Sequence, residues 1–281
     1  RLAERIQRTL VAPFRLTDYE IRVECSIGIA YGRDEPGDIA ELIRNAQFAV
    51  KRGKLTGRSE TYKRQEFTIA REQFGLETAL RRAIENDRLR LAFQPICDLA
   101  TQRIVAFEAL ARWTDDDGCE VPPSKFIPVA EECGLIVPLG RWAIDAAART
   151  LSAWDAAAGG SCGVRVAVNL SAIQLQRDAI APVVEAALRR SGLTGDRFTL
   201  ELTESAIVTD PDGIATAMHA LKDLGTTLAM DDFGTGYSNL AYLQKLPIDI
   251  LKIDRSFVTG MLADRDKVSI VRAILSLAQA L

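Results

Sequence analysis

Residues 226–254 read TTLAMDDFGTGYSNLAYLQKLPIDILKID. An apolar run ends in two aspartates (226–232), a helix-compatible segment follows (237–245), and a second apolar run carries a lysine (248–254). The same alternation extends towards the amino terminus. Further apolar runs are RFTLELTE (197–204), VRVAVNL (164–170), RIVAFEAL (103–110) and LRLAFQPI (89–96), with helices expected at 124–133, 138–157, 178–191 and 211–224. Strand and helix in repetition predict an α/β fold with a parallel sheet, whose closed form over this length is a TIM-like (β/α) barrel. An open doubly wound sheet is the alternative, but no G-x-G-x-x-G turn accompanies it.

Upstream the pattern changes. Residues 1–10 (RLAERIQRTL) read as an amphipathic helix, 19–32 (YEIRVECSIGIAYG) as strand-like, and 37–54 as a second helix. This is little material for an independent core, so residues 1–63 are expected to be the remainder of a larger α+β domain. Within the charged, helix-compatible segment 64–88, residues 64–75 are assigned as a linker helix and 76–281 as the barrel domain.

Composition excludes several chemistries. A formal net charge of −3 lacks the basic excess of a DNA or RNA polymer binder, so a phosphate-bearing ligand must be held locally. The single histidine, His219, excludes histidine-based acid/base work and a multi-histidine metal site, and reads as a packed or solvated helix position. Cys25, Cys97, Cys119, Cys133 and Cys162 are odd in number and form no C-x-x-C pair, which fits reduced thiols. No apolar run is long enough for a membrane span and no signal pattern opens the sequence. No membrane contact is therefore expected of this chain, and a cytoplasmic location is.

The candidate chemistry sits at the polar ends of the apolar runs: Glu108, Asn169, Glu201, Asp231 with Asp232, and Lys252. In a barrel, carboxyl ends of strands far apart in sequence converge on one face. Any one of these residues alone reads as a turn former or helix cap; five such strand ends together read as a site. Carboxylates and an amide are hard oxygen ligands that select Mg2+ or Mn2+. Crowded like charges also call for cations, and two ions are the usual arrangement for attack of water on a phosphodiester. Lys252 then suits the attacking water or the developing phosphorane charge.

These residues lie in blocks that resemble EAL domains: Gln94-Pro95-Ile96, Glu108-Ala109-Leu110 with Arg112-Trp113, Phe126-Ile127-Pro128 with Ala130-Glu131, and Val168-Asn169-Leu170-Ser171. Glu201-Leu202-Thr203-Glu204, Asp231-Asp232-Phe233-Gly234-Thr235-Gly236-Tyr237-Ser238 and Leu251-Lys252-Ile253-Asp254-Arg255-Ser256-Phe257 follow in the same order. The resemblance implies a TIM-like barrel that linearises cyclic di-GMP to pGpG with two Mg2+ or Mn2+ ions. It implies Glu108, Asn169, Glu201, Asp231 and Asp232 as metal ligands, with Lys252, Glu108 and Asp232 in catalysis. Gln94, Arg112 and Asp254 are implied in substrate binding, with Arg112 suited to phosphate, and Glu204 steadies the loop after Asp231. The loop 232–237, with two glycines, implies a homodimer. The family's A-E-G-V-E-like and Q-G-Y-like blocks are not among residues 1–281 and are expected beyond them. Ser26-Ile27-Gly28-Ile29-Ala30 and Ala46-Gln47-Phe48-Ala49-Val50-Lys51 resemble the end of a GGDEF domain, which implies that residues 1–63 are the carboxyl-terminal part of such an α+β domain. Two alternatives stay open: a catalytically inactive cyclic di-GMP receptor, and a Schiff-base barrel enzyme using Lys252, for which four surrounding carboxylates have no purpose.

Overall fold

The computed structural model describes residues 2–10, 12–17, 19–21, 25–31, 39–56, 58–62, 64–204, 206, 210–235 and 243–280. The chain forms two compact units, residues 1–75 and 76–281. The first contains helix α1 (Leu2–Leu10), an antiparallel pair β1 (Phe14–Leu16) and β2 (Tyr19–Ile21), and a parallel pair β3 (Gly28–Ile29) and β4 (Glu60–Thr61) around α2 (Ile39–Thr56). The strand-like stretch 19–32 is thus two short strands that pair elsewhere rather than with each other. Gln7 bridges this unit: its Nε2 donates to the Cys25 carbonyl at 3.1 Å, and its Oε1 accepts from Ser59 Oγ at 2.8 Å.

Helix α3 (Arg64–Glu85) leads into a sheet of β5 (Leu89–Cys97), β6 (Ile104–Thr114), β7 (Glu120–Val121), β8 (Arg165–Leu170), β9 (Phe198–Thr203), β10 (Thr227–Phe233) and β11 (Ile250–Ile253). The strand order is β11-β10-β9-β8-β6-β5, with β7 on β6. Pairing is parallel from β6 through β11, but β5 and β7 run antiparallel to β6. The wholly parallel sheet expected from the sequence is corrected there: only a short turn joins β5 to β6, too little chain for a parallel crossover. The sheet is also open among the described residues. Six strands in this path leave β5 and β11 as unpaired edges, whereas TIM-type closure uses eight. No described helix is long and apolar enough to cross a membrane.

Helices α4 (Pro123–Glu132), α5 (Ile136–Ala158), α6 (Ala172–Arg177), α7 (Ile180–Ser191), α8 (Pro211–Asp223), α9 (Arg255–Val258) and α10 (Arg265–Ala280) complete this unit. Period-two alternation sorts the strands into two faces. Val166, Val168, Leu170, Phe198, Leu200, Leu202, Leu228 and Met230 are buried in one core with Ile144 and Leu151 of α5, Val184 of α7, and Ile214, Met218 and Leu221 of α8. The spacing 214, 218, 221 is the stripe of an amphipathic helix. A second core gathers Leu80, Trp113, Phe126 and Leu139, with the Trp113 and Phe126 rings edge to face at 5.8 Å. The opposite face of the strands carries small or polar side chains, and the candidate site lies there.

One ion pair ties the end of α5 to the entrances of two strands. Arg197 donates to both carboxylate oxygens of Asp155 at 2.9 Å and to the Val164 carbonyl at 3.0 Å. The Arg197 bonds and the Cys162 amide hold the Asp155 carboxyl well below the usual range, and the Arg141 hydrogen bond lowers that of Asp178. Carboxyls depressed in the fold stabilise it above their unfolded pKa of about 4 and lose that contribution as pH falls through the folded value. In urea melts, Asp155→Asn should therefore lower the midpoint at pH 7, and its deficit should shrink steadily towards pH 2. A deficit independent of pH would assign the loss to packing instead. Next to Arg197, a Cβ on Gly195 would stand 2.0 Å from the Leu224 carbonyl oxygen, backbone against backbone. Gly195→Ala should cost about 1–3 kcal/mol, the scale of overpacking, and lower Tm by roughly 2–4 °C per kcal/mol. An unchanged melting curve would show that this contact relaxes freely.

Candidate functional site

On the face opposite the core, adjacent strands bring acidic side chains into register. Gln94 of β5 pairs with Glu108 of β6, Glu108 with Ala167 of β8, Asn169 with Glu201 of β9, and Asp231 of β10 with Thr203. Carboxylate oxygens of Glu108, Glu201 and Asp231 all lie within 4.8 Å of one another. Lys252 of β11 enters this cluster: its Nζ donates to Glu201 Oε2 at 2.5 Å, Asp231 Oδ2 at 2.8 Å and Glu108 Oε2 at 3.5 Å. Asn169 joins from the rim, its Nδ2 donating to Glu108 Oε1 at 2.8 Å.

The electrostatics follow from burial. Glu201 is 2 % exposed, and burial pushes its carboxyl up to about 7, even though hydrogen bonding and charge from Lys252 pull it down. Glu108 and Asp231 add to the rise by repulsion. For Lys252, burial opposes the charge, but the bonds to Asp231 and Glu201 outweigh it and raise the ammonium above its ordinary value. The same ion pair thus protects the lysine's charge more securely than the glutamate's, because Glu201 bears the deeper desolvation.

Asp231 and Asp232 would face opposite sides of a regular strand. The β10–β11 register shifts between Met230 and Phe233, and Asp232 adopts a left-handed φ of +53°. A bulge at a site re-aims side chains in this way, and Asp tolerates this backbone region better than most residues. Asp232 lies outside the three-carboxylate group, and its carboxyl is raised by burial first and then by the charges of Asp231 and Asp254. Glu204, also buried, accepts the Gly234 amide at 2.9 Å through Oε2 and so pins the backbone just after the bulge. Residues 236–242, with the rest of the glycine loop and most of the helix expected at 237–245, lie outside the described residues.

Several positions differ from a simple set of strand ends. Glu108 is the fifth of eleven residues in β6, and Gln94 is its register partner on an antiparallel strand. Arg112 is four residues beyond Glu108, about 13 Å along the strand. It lines a separate cavity with Asn169 and lies 3.8 Å from Glu120. Asp254 caps α9, accepting from the Ser256 amide at 3.0 Å and from its hydroxyl, and these bonds lower its pKa. Two contacts were not foreseen. Glu131 Oε1 accepts from Ser171 Oγ at 2.7 Å, and Ser171 caps α6 two residues after Asn169. The blocks containing Glu131 and Ser171 were visible in the sequence, but nothing there indicated that they meet.

Glu108, Glu201, Lys252 and Gln94 line one cavity of about 530 Å3, floored by Ala106, Ala167, Thr199 and Ala229. The donors are oxygens only, and one ammonium stands against three carboxylates, with Asp232 close by. This excess negative charge and this donor set fit divalent cations of the Mg2+ or Mn2+ type.

Comparison with known proteins agrees with this architecture. Residues 77–281 match the family model described as EAL domain. The chain is 36 % identical over its whole length to the bifunctional diguanylate cyclase/cyclic di-GMP phosphodiesterase MucR of Pseudomonas aeruginosa, and 36 % identical to the cyclic di-GMP phosphodiesterase PdeR of Escherichia coli. It spans 41 % and 42 % of those two proteins, and about a third of other curated relatives. Among solved structures, the MucR phosphodiesterase in complex with c-di-GMP superposes with a TM-score of 0.68 at 38 % identity, covering 73 % of this chain and 83 % of that one. With residues 77–281 matched and its acidic face built as above, the chain belongs to the EAL domain family.

Proposed function

We propose that this chain is a metal-dependent phosphodiesterase that hydrolyses cyclic di-GMP to linear pGpG. The observation that carries the reading is the meeting of Glu108, Glu201 and Asp231 around Lys252 in an oxygen-only cluster. Relatives named as cyclic di-GMP phosphodiesterases, and the MucR domain solved with c-di-GMP, support the substrate. Glu108, Asn169, Glu201 and Asp231 would hold the first of two Mg2+ or Mn2+ ions, with Asn169 turning its amide oxygen inward, and Asp232 would serve the second. Such ions, when bound, polarise the phosphodiester and lower the pKa of water.

The chain's own groups account for the remaining work. Lys252 holds its proton firmly, so its role is that of a fixed cation which orients the attacking water and stabilises charge developing on phosphorus. Gln94, beside Glu108, and Arg112 would position the dinucleotide, Arg112 through a phosphate. Asp254, already fixed by Ser256, faces Asp232 and orders the rim. Glu204 keeps Gly234 in place, so the bulge that aims the two aspartates does not relax.

The remaining expectations belong to the same proposal. Residues 1–63 are the end of a GGDEF domain, 64–75 a linker and 76–281 the EAL domain, in a bacterial signalling protein acting in the cytoplasm. The loop 232–237 supports pairing of two copies.

Asp231→Asn preserves size but removes a charge central to the cluster. Hydrolysis of cyclic di-GMP with Mg2+ should fall at least about a hundredfold, the scale of lost ligand and electrostatic contributions, while circular dichroism stays native and nucleotide binding persists. Near-normal turnover would demote Asp231 to a turn residue. Chelation of divalent ions should abolish hydrolysis, with Mg2+ or Mn2+ restoring it. Ca2+ should support binding without turnover, since its looser coordination places water poorly. Retained binding with no hydrolysis under any metal would favour the inactive-receptor reading over the enzyme.

A further inference from the structure

Gly234, two residues after Asp232, is enclosed from two sides. Glu204 accepts its amide, and its Cα lies against α9 and α10: a Cβ there would stand 3.0 Å from Phe257 Cε2 and 3.3 Å from Ile274 Cδ1. Its φ of +98° is in the region that favours glycine, so the Phe257 ring seats on bare backbone. Any shift of Asp232 therefore has to carry Gly234 away from that ring.

The ring is carried by a helix too short to hold itself. Helix α9 is a single turn, Arg255–Val258, and one turn fixes several dihedral angles for very few hydrogen bonds. Side chains close both of its ends. Asp254 caps the first, and Lys267 of α10 closes the last, its Nζ donating to the Ser256 carbonyl at 2.8 Å and the Thr259 carbonyl at 2.9 Å. A cation at the carboxyl end of a helix also meets the favourable end of its dipole. Lys267 and Ile274 are seven residues apart and share one face of α10, and Ile274 is the buried residue of that helix. The same helix face thus closes α9 and completes the seat under Gly234.

We infer that Lys267 is a positioning residue for the acidic site: by closing α9 it holds Phe257 against Gly234 and so fixes Asp232 from outside the cluster. The inference rests on Asp232 serving the second ion, as proposed above. Lys267 lies beyond the EAL-like block 251–257, and its role comes from two carbonyl bonds and a shared helix face rather than from a motif. It acts on the site only through Phe257 and Gly234, so it touches neither ion nor substrate.

The test uses the full chain and two readouts that need no turnover: Mn2+ binding by calorimetry, and amide hydrogen exchange across 231–235 by mass spectrometry. Lys267→Met keeps the stem but removes the donors. It should weaken the weaker Mn2+ site about tenfold, the scale on which groups supporting a ligand act, and speed exchange across 231–235 about tenfold while β8 and β9 exchange as in wild type. Lys267→Arg, which keeps donors at this position, should recover both. Phe257→Leu spares the Lys267 bonds but shrinks the seat, and should reproduce both effects. The double variant should add little to either single one, because the two residues act along one path. A merely structural loss would raise exchange throughout the sheet. The inference is overturned if folded Lys267→Met exchanges as wild type across 231–235, if exchange rises while Mn2+ affinity is kept, or if the two single effects add in full. Should Lys267→Met not fold, Phe257→Leu decides by the same two measurements. A wild type that binds Mn2+ but never hydrolyses cyclic di-GMP would defeat the phosphodiesterase reading and leave this inference standing.

Discussion

Three carboxylates from three different strands repel one another across a space under 5 Å, and among the described residues Lys252 is the cation that meets them. At an effective dielectric of about 20, two charges 4 Å apart interact by roughly 4 kcal/mol. The three repulsions among Glu108, Glu201 and Asp231 are therefore of the same order as the three attractions to the ammonium, and Coulomb terms nearly offset. Desolvation of Glu201 is then left uncompensated, which is why its carboxyl rises to about 7 beside a full positive charge. The cluster is held by the sheet rather than being what holds the sheet together. Its stability comes from the opposite face, where valines, leucines and Phe198 are buried against α5, α7 and α8.

The two faces are coupled by parity. Each strand places bulky apolar residues at one set of alternating positions, so the other set is free of packing duty. Val166, Val168 and Leu170 commit β8 to the helices, which leaves Ala167 in the floor of the cavity and Asn169 beside Glu108. Leu200 and Leu202 do the same for β9, and Leu228 and Met230 for β10, turning Glu201 and Asp231 to the acidic cluster around Lys252. Small residues at Ala106, Ala167, Thr199 and Ala229 keep that cavity open beneath the acids. A one-residue slip in β9 or β10 would bury a carboxylate among leucines, so register there is specified by the core.

This parity is also why so much was legible in the sequence. The runs 164–170, 197–204 and 226–232 became β8, β9 and β10 to within about two residues, because a short apolar run that ends in polar residues has few other readings. What was not legible depends on pairing. The antiparallel direction of β5 leaves no mark on its composition, and Ala172–Arg177 is too short a helix for a periodic stripe to register. Two adjacent aspartates do not announce a bulge; that arises from the β10–β11 register and a left-handed Asp232, neither of which propensity encodes. The Gln174–Gly140 contact joins residues on different helices, and each alone reads as an ordinary surface position.

The choice between enzyme and receptor turns on what each function needs. Recognition of a cyclic dinucleotide, in the proposed reading, needs little more than a cation beside apolar walls, such as the Arg112 cavity offers. It does not require a glutamate nearly withdrawn from water among two further carboxylates. Buried, mutually repelling acids destabilise a fold, and mutations that replace them with neutral residues are readily tolerated once activity is no longer needed. Here every member of the cluster is in place. Glu204 holds the backbone after the bulge, and Lys252 is locked by three bonds. The strained, desolvated half of the site is the half that the proposed hydrolysis, and not recognition alone, gives a purpose.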